Sequence, residues 1–163
     1  MIKIAPLRPD QISEAKQVIS DVARRIYAPE QVSQEWEQTL AYEHELDDVD
    51  NFEQVYAESR GLFLVAMDDD RVVGTGALRP LEFETAELKR MWLLEEYHGQ
   101  GIGYRILMQL FEFARKHDYK RICLQTGQIQ KRALAFYHRI GFVEIPTFND
   151  NQDGDEISME IRL

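Results

Sequence analysis

The sequence has one cysteine, few glycines and prolines and no long apolar run, and each shortage excludes a class of protein. Cys123 alone cannot form an internal disulfide or a cysteine-based zinc site, so a reducing, cytoplasmic setting is the default expectation. No apolar run approaches the roughly 20 residues of a membrane helix, and no signal-peptide stretch opens the chain, so we expect no membrane partner. With 9 Gly, 5 Pro and 44% hydrophobic residues, the composition predicts one globular domain, 1–163.

Positive charge is also scarce, and it is unevenly placed. The chain has 19 Lys and Arg against 29 Asp and Glu, which gives a formal net charge of −10. That balance argues against nonspecific nucleic-acid binding, because such binding depends on cationic contacts to phosphate. The segment from Lys89 to Arg139 nevertheless carries +6, and the rest carries −16. A basic segment in an acidic protein is either a solvated surface or a site for an anionic ligand.

Hydrophobic periodicity predicts an alternation of strands and helices along the whole chain. Apolar runs predict strands at Met1–Leu7, Leu62–Met67, Val72–Leu78, Ala86–Leu94, Arg121–Thr126, Phe142–Ile145 and Ile157–Leu163. Apolar spacings of three and four predict helices from Asp10 to Ile26, at Pro29–Tyr42, from Gly103 to Lys116 and at Gln130–Ile140. Asp10 is expected to cap the first helix and Gly141 to end the last, and Asn149–Asp155 is expected to form a hairpin loop.

A glycine-rich turn, Gly99-Gln100-Gly101-Ile102-Gly103, joins a predicted strand to a predicted helix. Such a turn leaves backbone N–H groups unpaired at the positive end of the helix, where they can hold a phosphate. The turn is not a Walker loop, because no Gly-Lys-Ser/Thr follows, and it lacks the G-x-G-x-x-G spacing of a dinucleotide fingerprint. Taken alone, it fits a tight structural turn equally well.

A second motif, QKRALAFYHRIGF at Gln130–Phe142, accompanies ELKRMWLLEEYHGQGIG at Glu87–Gly103. Together they resemble the GNAT superfamily of N-acetyltransferases, and the order of predicted elements also fits. The matching positions are the glycines of the turn and Gln130, Ala133, Phe136-Tyr137 and Gly141-Phe142. His98 stands where the family usually has Arg or Gln, and Gln130 stands where it has the Asn that contacts pantetheine.

The resemblance implies an α/β (α+β) fold with a mixed, mostly antiparallel twisted sheet of six to seven strands and about four helices. It also implies acetyl-CoA as cosubstrate, with no metal. The cofactor-binding residues it implies are Met91, Trp92 and Leu93 along the pantetheine arm, Gly99, Gln100, Gly101, Ile102, Gly103 and Tyr104 around the pyrophosphate, and Gln130 and Tyr137. From spacing alone, Met91–Leu93 fits a plain buried strand better. Arg105, Lys131 and Arg132 are close enough in sequence to attract the phosphates of coenzyme A.

Acetyl transfer to an amine needs a base for the ammonium proton and an acid for the leaving thiolate. Glu87 matches the catalytic glutamate of some family members, with Glu82, Glu84 or a water chain as alternatives. Tyr137 matches the family's general acid, although a tyrosine packed on the sheet is the plain alternative. The resemblance assigns the oxyanion contact to the Leu93 N–H. Cys123 lies in an apolar strand and is expected in the core, which favours direct attack in a ternary complex.

The acceptor is expected to be a primary amine. Glu43–Glu58 holds seven acids and no Lys or Arg, which favours a cationic acceptor or, equally, a solvated acidic loop. A non-catalytic acyl-CoA-binding or sensor module on the same fold is the alternative function, and an acidic protein-interaction domain is a third. We expect no nucleic-acid partner. The oligomeric state is open, with a homodimer as one expectation.

Overall fold

The computed structural model describes residues 1–149 and 154–163, so residues 150–153 of the predicted loop Asn149–Asp155 lie outside the described residues. The strands of the described part are β1 (Ile2–Pro6), β2 (Leu62–Asp68), β3 (Arg71–Glu82), β4 (Thr85–Leu93), β5 (Arg121–Gly127), β6 (Val143–Ile145) and β7 (Glu156–Arg162). Its α-helices are α1 (Ile12–Tyr27), α2 (Ser33–Tyr42), α3 (Asp47–Asp50), α4 (Phe52–Val55), α5 (Ile102–Lys116) and α6 (Lys131–Ile140). Every predicted strand and helix is present.

The seven strands form one sheet in the order β1-β2-β3-β4-β5-β7-β6. All neighbouring strands run antiparallel except β4 and β5, which are parallel, so the predicted mixed, mostly antiparallel sheet is confirmed. The β4–β5 pairing extends only from Thr85 and Arg121 to Leu88 and Leu124. Beyond that point β4 pairs only with β3 and β5 only with β7, so a gap opens between β4 and β5.

Helices cover both faces of the sheet around this gap. A Cβ on Gly76 of β3 would lie 2.5 Å from the Ile106 side chain, so this face of β3 lies directly against α5. Thr75, the neighbouring residue, faces the other side, because successive side chains of a strand alternate. That side carries α1, which packs against β3 and β4. None of the helices in residues 1–149 and 154–163 is long and apolar enough to cross a membrane.

Three local predictions are wrong, each for a physical reason. The Asp10 carboxylate does not cap α1, because it accepts hydrogen bonds from Arg8 Nε at 3.0 Å and Nη2 at 3.1 Å. The second helix begins at Ser33 rather than Pro29, after a turn. The described residues form six α-helices rather than about four, because the acidic segment Glu43–Glu58 contains two short helices, α3 and α4, whose Val49 and Phe52 are buried in the core. Gly141, with φ +119°, ends α6 as predicted.

Candidate active site

A cleft of about 830 Å³ opens where β4 and β5 diverge. Its walls come from β4, the glycine-rich turn, the start of α5, the α6 helix and the end of α1. The predicted site residues that line it are Met91, Trp92, Leu93, Gly99, Gly101, Ile102, Gly103, Tyr104, Gln130 and Tyr137. Gln100 and Glu87 are not among the lining residues. The fold therefore brings the two motifs, which are separated in sequence, to one site.

A bulge in β4 sets the direction of Met91–Leu93. Ala77 pairs with Lys89 and Thr75 pairs with Trp92, so β4 has one more residue than β3 over this stretch. Arg90 within the bulge has φ +59°, and its carbonyl accepts a hydrogen bond from Thr75 Oγ1 at 2.6 Å. This part of β4 pairs with β3 but not with β5, so the edge of Met91–Leu93 that faces away from β3 can accept an added extended chain. The Leu93 carbonyl lies 3.1 Å from His98 Nε2.

The glycine-rich turn forms an open cradle at the start of α5. Gly99 and Gly101 have φ of +78° and +75°, and a Cβ on either would meet no atom within 4 Å. Among the described residues no side chain caps α5, and no acidic residue lies in its first turn. The N–H groups of Ile102 and Gly103 have no acceptor within the helix by geometry. Since these donors add to the positive end of the helix dipole, the cradle fits an anion such as a diphosphate.

Several basic side chains line the cleft, but one of the three that were expected there does not. Lys131 and Arg132 line it as predicted, together with Arg25 and Arg139, which sequence reasoning missed. Arg105 does not line the cleft, because its Nη2 donates to the main-chain carbonyl of Ile2 at 3.1 Å. The structure therefore does not bring Arg105 to the cleft lining together with Lys131 and Arg132. Arg139 follows Arg132 by two turns of α6. This spacing places both residues on one face of the helix and could have predicted that Arg139 lines the cleft.

Tyr137 lies at the wall of the cleft and is 6% exposed. Its ring packs between Phe136 and Phe142, with ring centroids 5.5 Å away in each case. Burial raises the pKa of the Tyr137 phenol above its ordinary value of 10. The hydroxyl therefore keeps its proton at neutral pH and can act as a hydrogen-bond donor or proton donor to a group in the cleft.

Gln130 is fastened to the end of α1. Its Nε2 donates to the hydroxyl of Tyr27 at 2.5 Å. The same hydroxyl lies so close to Gly127 that a Cβ there would approach it to 2.6 Å. These contacts hold the end of α1 against the β5–α6 connection beside the cleft. The Gln130 amide thus has a partner within the chain, whereas the resemblance implied a contact with pantetheine.

The candidate bases lie outside the cleft lining. The Glu87 carboxylate is buried on β4, 3.2 Å from Arg79 Nη2 and 3.8 Å from Lys89 Nζ. Glu82 and Glu84 are exposed beside the β3–β4 connection. Cys123 is fully buried, and burial raises the pKa of its thiol, so the reactive thiolate is disfavoured. The predicted core position of Cys123 is confirmed.

Comparison with known proteins agrees with this geometry. The family model described as Acetyltransferase (GNAT) family matches residues 25–142. The uncharacterized N-acetyltransferase YjgM of Escherichia coli (strain K12) is 31% identical over 150 residues, which cover 89% of this chain and 88% of that protein. Human N-acetyltransferase 8B is 33% identical over 91 residues, 53% of this chain and 40% of the human protein. The chain thus matches less than half the length of the human relative.

Solved structures share the fold over the whole chain. The PaiA N-acetyltransferase from Thermoplasma acidophilum, determined in complex with coenzyme A, has a TM-score of 0.83 at 22% identity and covers 100% of this chain and 99% of its own. A GNAT-family acetyltransferase from Staphylococcus aureus Mu50 has a TM-score of 0.84 at 22% identity, with 99% of each chain covered. At these identities the likeness establishes the fold.

Proposed function

Because this chain belongs to the acetyltransferase (GNAT) family and is an acetyl-CoA-dependent N-acetyltransferase, we propose that the cleft between β4 and β5 is its active site. One observation carries the proposal: an uncapped helix start, the stretch of β4 beyond its pairing with β5 and a buried phenol line the same cleft. The alternative of a non-catalytic acyl-CoA sensor provides no role for that phenol.

The residues of the cleft fit coenzyme A from end to end. The turn from Gly99 to Tyr104 would hold the diphosphate, and Met91–Leu93 would bind the pantetheine amides as an added strand. The PaiA N-acetyltransferase, which shares this fold, was determined in complex with coenzyme A, and this supports coenzyme A as the ligand. Acetyl-CoA supplies an activated acyl group as a thioester, and we propose no metal in the reaction.

Three groups of this chain would act on the reacting atoms. The Leu93 N–H would donate to the thioester oxygen, where negative charge develops. Tyr137 would donate its proton to the departing sulfur. Glu87 would accept the ammonium proton through water, because it is a buried carboxylate only four residues from Met91 on the same strand. The amine would attack directly, without an acetyl-cysteine step.

Glu87→Gln tests the base. We expect kcat/KM at pH 7 to fall at least about tenfold, because the amide cannot accept a proton. The loss should shrink at higher pH, where the amine is already neutral. Glu112→Gln, which changes an exposed carboxylate of α5 that pairs with Lys116, is the matched control, and pH profiles of acetyl-CoA turnover are the measurement. Equal activities of the two variants across the pH range would rule out Glu87 as the base.

Lys131→Gln and Arg132→Gln test the cationic rim. Each variant is expected to raise the Kd for coenzyme A about twofold to fivefold at low salt, because one charge near the phosphates is lost. The effect should fade as added salt shortens the Debye length. Lys116→Gln, at the opposite end of α5, should leave Kd unchanged in calorimetric titrations. A salt-independent effect would contradict the electrostatic role.

The proposed acceptor belongs to one chemical class, the cationic primary amines. Six of the seven acids in Glu43–Glu58 are exposed, although Asp50 is engaged with Lys16 and Asp48 is paired with Arg90. Acetyl-CoA turnover against matched cationic, neutral and anionic amines, read as free thiol, tests both the activity and this preference. A cytoplasmic location, a homodimer and a single domain spanning 1–163 stay predictions.

A further inference from the structure

We infer that Asp48 is a positioning residue: through its ion pair with Arg90, it holds the β4 bulge that presents Met91–Leu93 to the cosubstrate. The inference rests on the proposed function of the cleft. It assigns to α3, which is not part of the cleft lining, a role in cosubstrate affinity.

The Arg90 side chain is fastened at several points. Its Nη2 lies 2.6 Å from Asp48 Oδ1, and its Nε donates to Asp48 Oδ2 at 3.0 Å. Nη2 also donates to the main-chain carbonyl of Glu45 at 2.5 Å. The Tyr56 hydroxyl donates to Asp48 Oδ2 at 2.5 Å, which orients the carboxylate. Both charged side chains are 16% exposed, so water screens the pair weakly.

The charge state of Asp48 suits this role. Burial alone would raise the pKa of the Asp48 carboxyl, but the hydrogen bond and positive charge of Arg90, together with the Tyr56 hydroxyl, hold it below its ordinary value. Asp48 is therefore ionised at neutral pH, and the pair stays charged under the conditions in which the enzyme works.

The backbone of Arg90 needs such a restraint. Its φ of +59° lies in the left-handed region, which is strained for a residue with a Cβ and persists only where the surroundings enforce it. In the described part of the chain, the other non-glycine residues with positive φ lie between elements: His44, Arg60, Asp69 and Asp118. Arg90 alone among the described residues adopts this conformation inside a strand.

The restraint acts from both sides of the residue. Thr75 Oγ1 of β3 binds the Arg90 carbonyl, while Asp48 of α3 binds the guanidinium. The residues that follow, Met91–Leu93, lie beyond the β4–β5 pairing, which ends at Leu88, and they line the cleft. Without the pair, the strained bulge would be populated for only a fraction of the time. The apparent affinity for coenzyme A would fall by that fraction.

Arg90→Ala and Arg90→Gly together separate positioning from simple loss of packing. Both variants remove the same guanidinium contacts, but only Ala keeps the Cβ that disfavours positive φ. We expect Ala to raise the Kd for coenzyme A about tenfold and Gly to raise it less than about threefold, in titrations well below each melting temperature. Equal Kd values for the two variants would overturn the inference, whatever their stabilities.

Asp48→Asn and Asp50→Asn form a second comparison that decides the question if the Arg90 variants do not fold. Both change an α3 carboxylate to an amide, but Asp50 pairs with Lys16 of α1 at 3.0 Å rather than with β4. Asp48→Asn should raise the Kd for coenzyme A, and Asp50→Asn should leave it unchanged. Equal effects would overturn the inference. Failure of the wild type to bind coenzyme A would instead overturn the proposed function of the cleft.

Discussion

Tyr137→Phe is expected to lower kcat about 100-fold to 1000-fold while leaving the Kd for coenzyme A within about twofold of the wild type. The substitution removes one hydroxyl and no carbon, so the packing of the ring against Phe136 and Phe142 is retained. What is lost is the proton for the departing thiolate. Steady-state turnover and calorimetric binding of coenzyme A measure the two quantities separately.

Tyr119→Phe is the matched control for this prediction. Tyr119 is 2% exposed, and its hydroxyl donates to the Arg60 carbonyl at 2.8 Å, outside the cleft. Losing that bond should cost about 1 kcal/mol of unfolding free energy without lowering kcat. Because burial raises the Tyr137 pKa, the wild-type rate should show no loss from phenol ionisation below about pH 10. If Tyr137→Phe keeps its kcat within about threefold, the acid role is wrong.

Gly101→Ala is expected to weaken coenzyme A binding about 30-fold to 100-fold. Two effects add. Because Ala at φ +75° costs about 1–2 kcal/mol, the free turn would relax and binding would have to restore it. The methyl group would also enter the open space in which we place the diphosphate. The helix itself should form, since a Cβ at this position meets no protein atom within 4 Å. The Kd for coenzyme A and the KM for acetyl-CoA should rise together, with kcat at saturation less affected.

Gly141→Ala is the control for backbone strain. Gly141 also has a positive φ, +119°, but it ends α6 and does not line the cleft. The substitution should lower the unfolding free energy and leave the Kd for coenzyme A unchanged. If both glycine variants weaken binding equally, the effect comes from general destabilisation, and the cradle assignment is contradicted.

Local signals explain what the sequence could predict. The first motif is local: about six residues contain the glycines of the turn and the start of the helix that follows it. The second motif is carried by the pairs Phe136-Tyr137 and Gly141-Phe142. Periodicity identified every strand and helix of the sheet framework because each buries a regular apolar face. The two motifs together predicted a shared binding site, and both of them line the cleft.

Contacts between distant residues explain what the sequence could not predict. Arg105 follows the glycine turn directly, yet its partner is the carbonyl of Ile2, which lies 103 residues away. Asp48 and Arg90 are 42 residues apart, and nothing in either segment signals the pair. The Asp10 carboxylate binds Arg8 instead of capping α1. Rules for helix caps do not include this competition from a nearby guanidinium.

A crystal structure with coenzyme A bound tests the account most directly. We predict diphosphate oxygens within about 2.7–3.2 Å of the N–H groups at the start of α5, an extended pantetheine arm alongside Met91–Leu93, and the sulfur facing the Tyr137 hydroxyl. Coenzyme A bound elsewhere on the protein, or bound in the cleft with its sulfur turned away from Tyr137, would contradict the account.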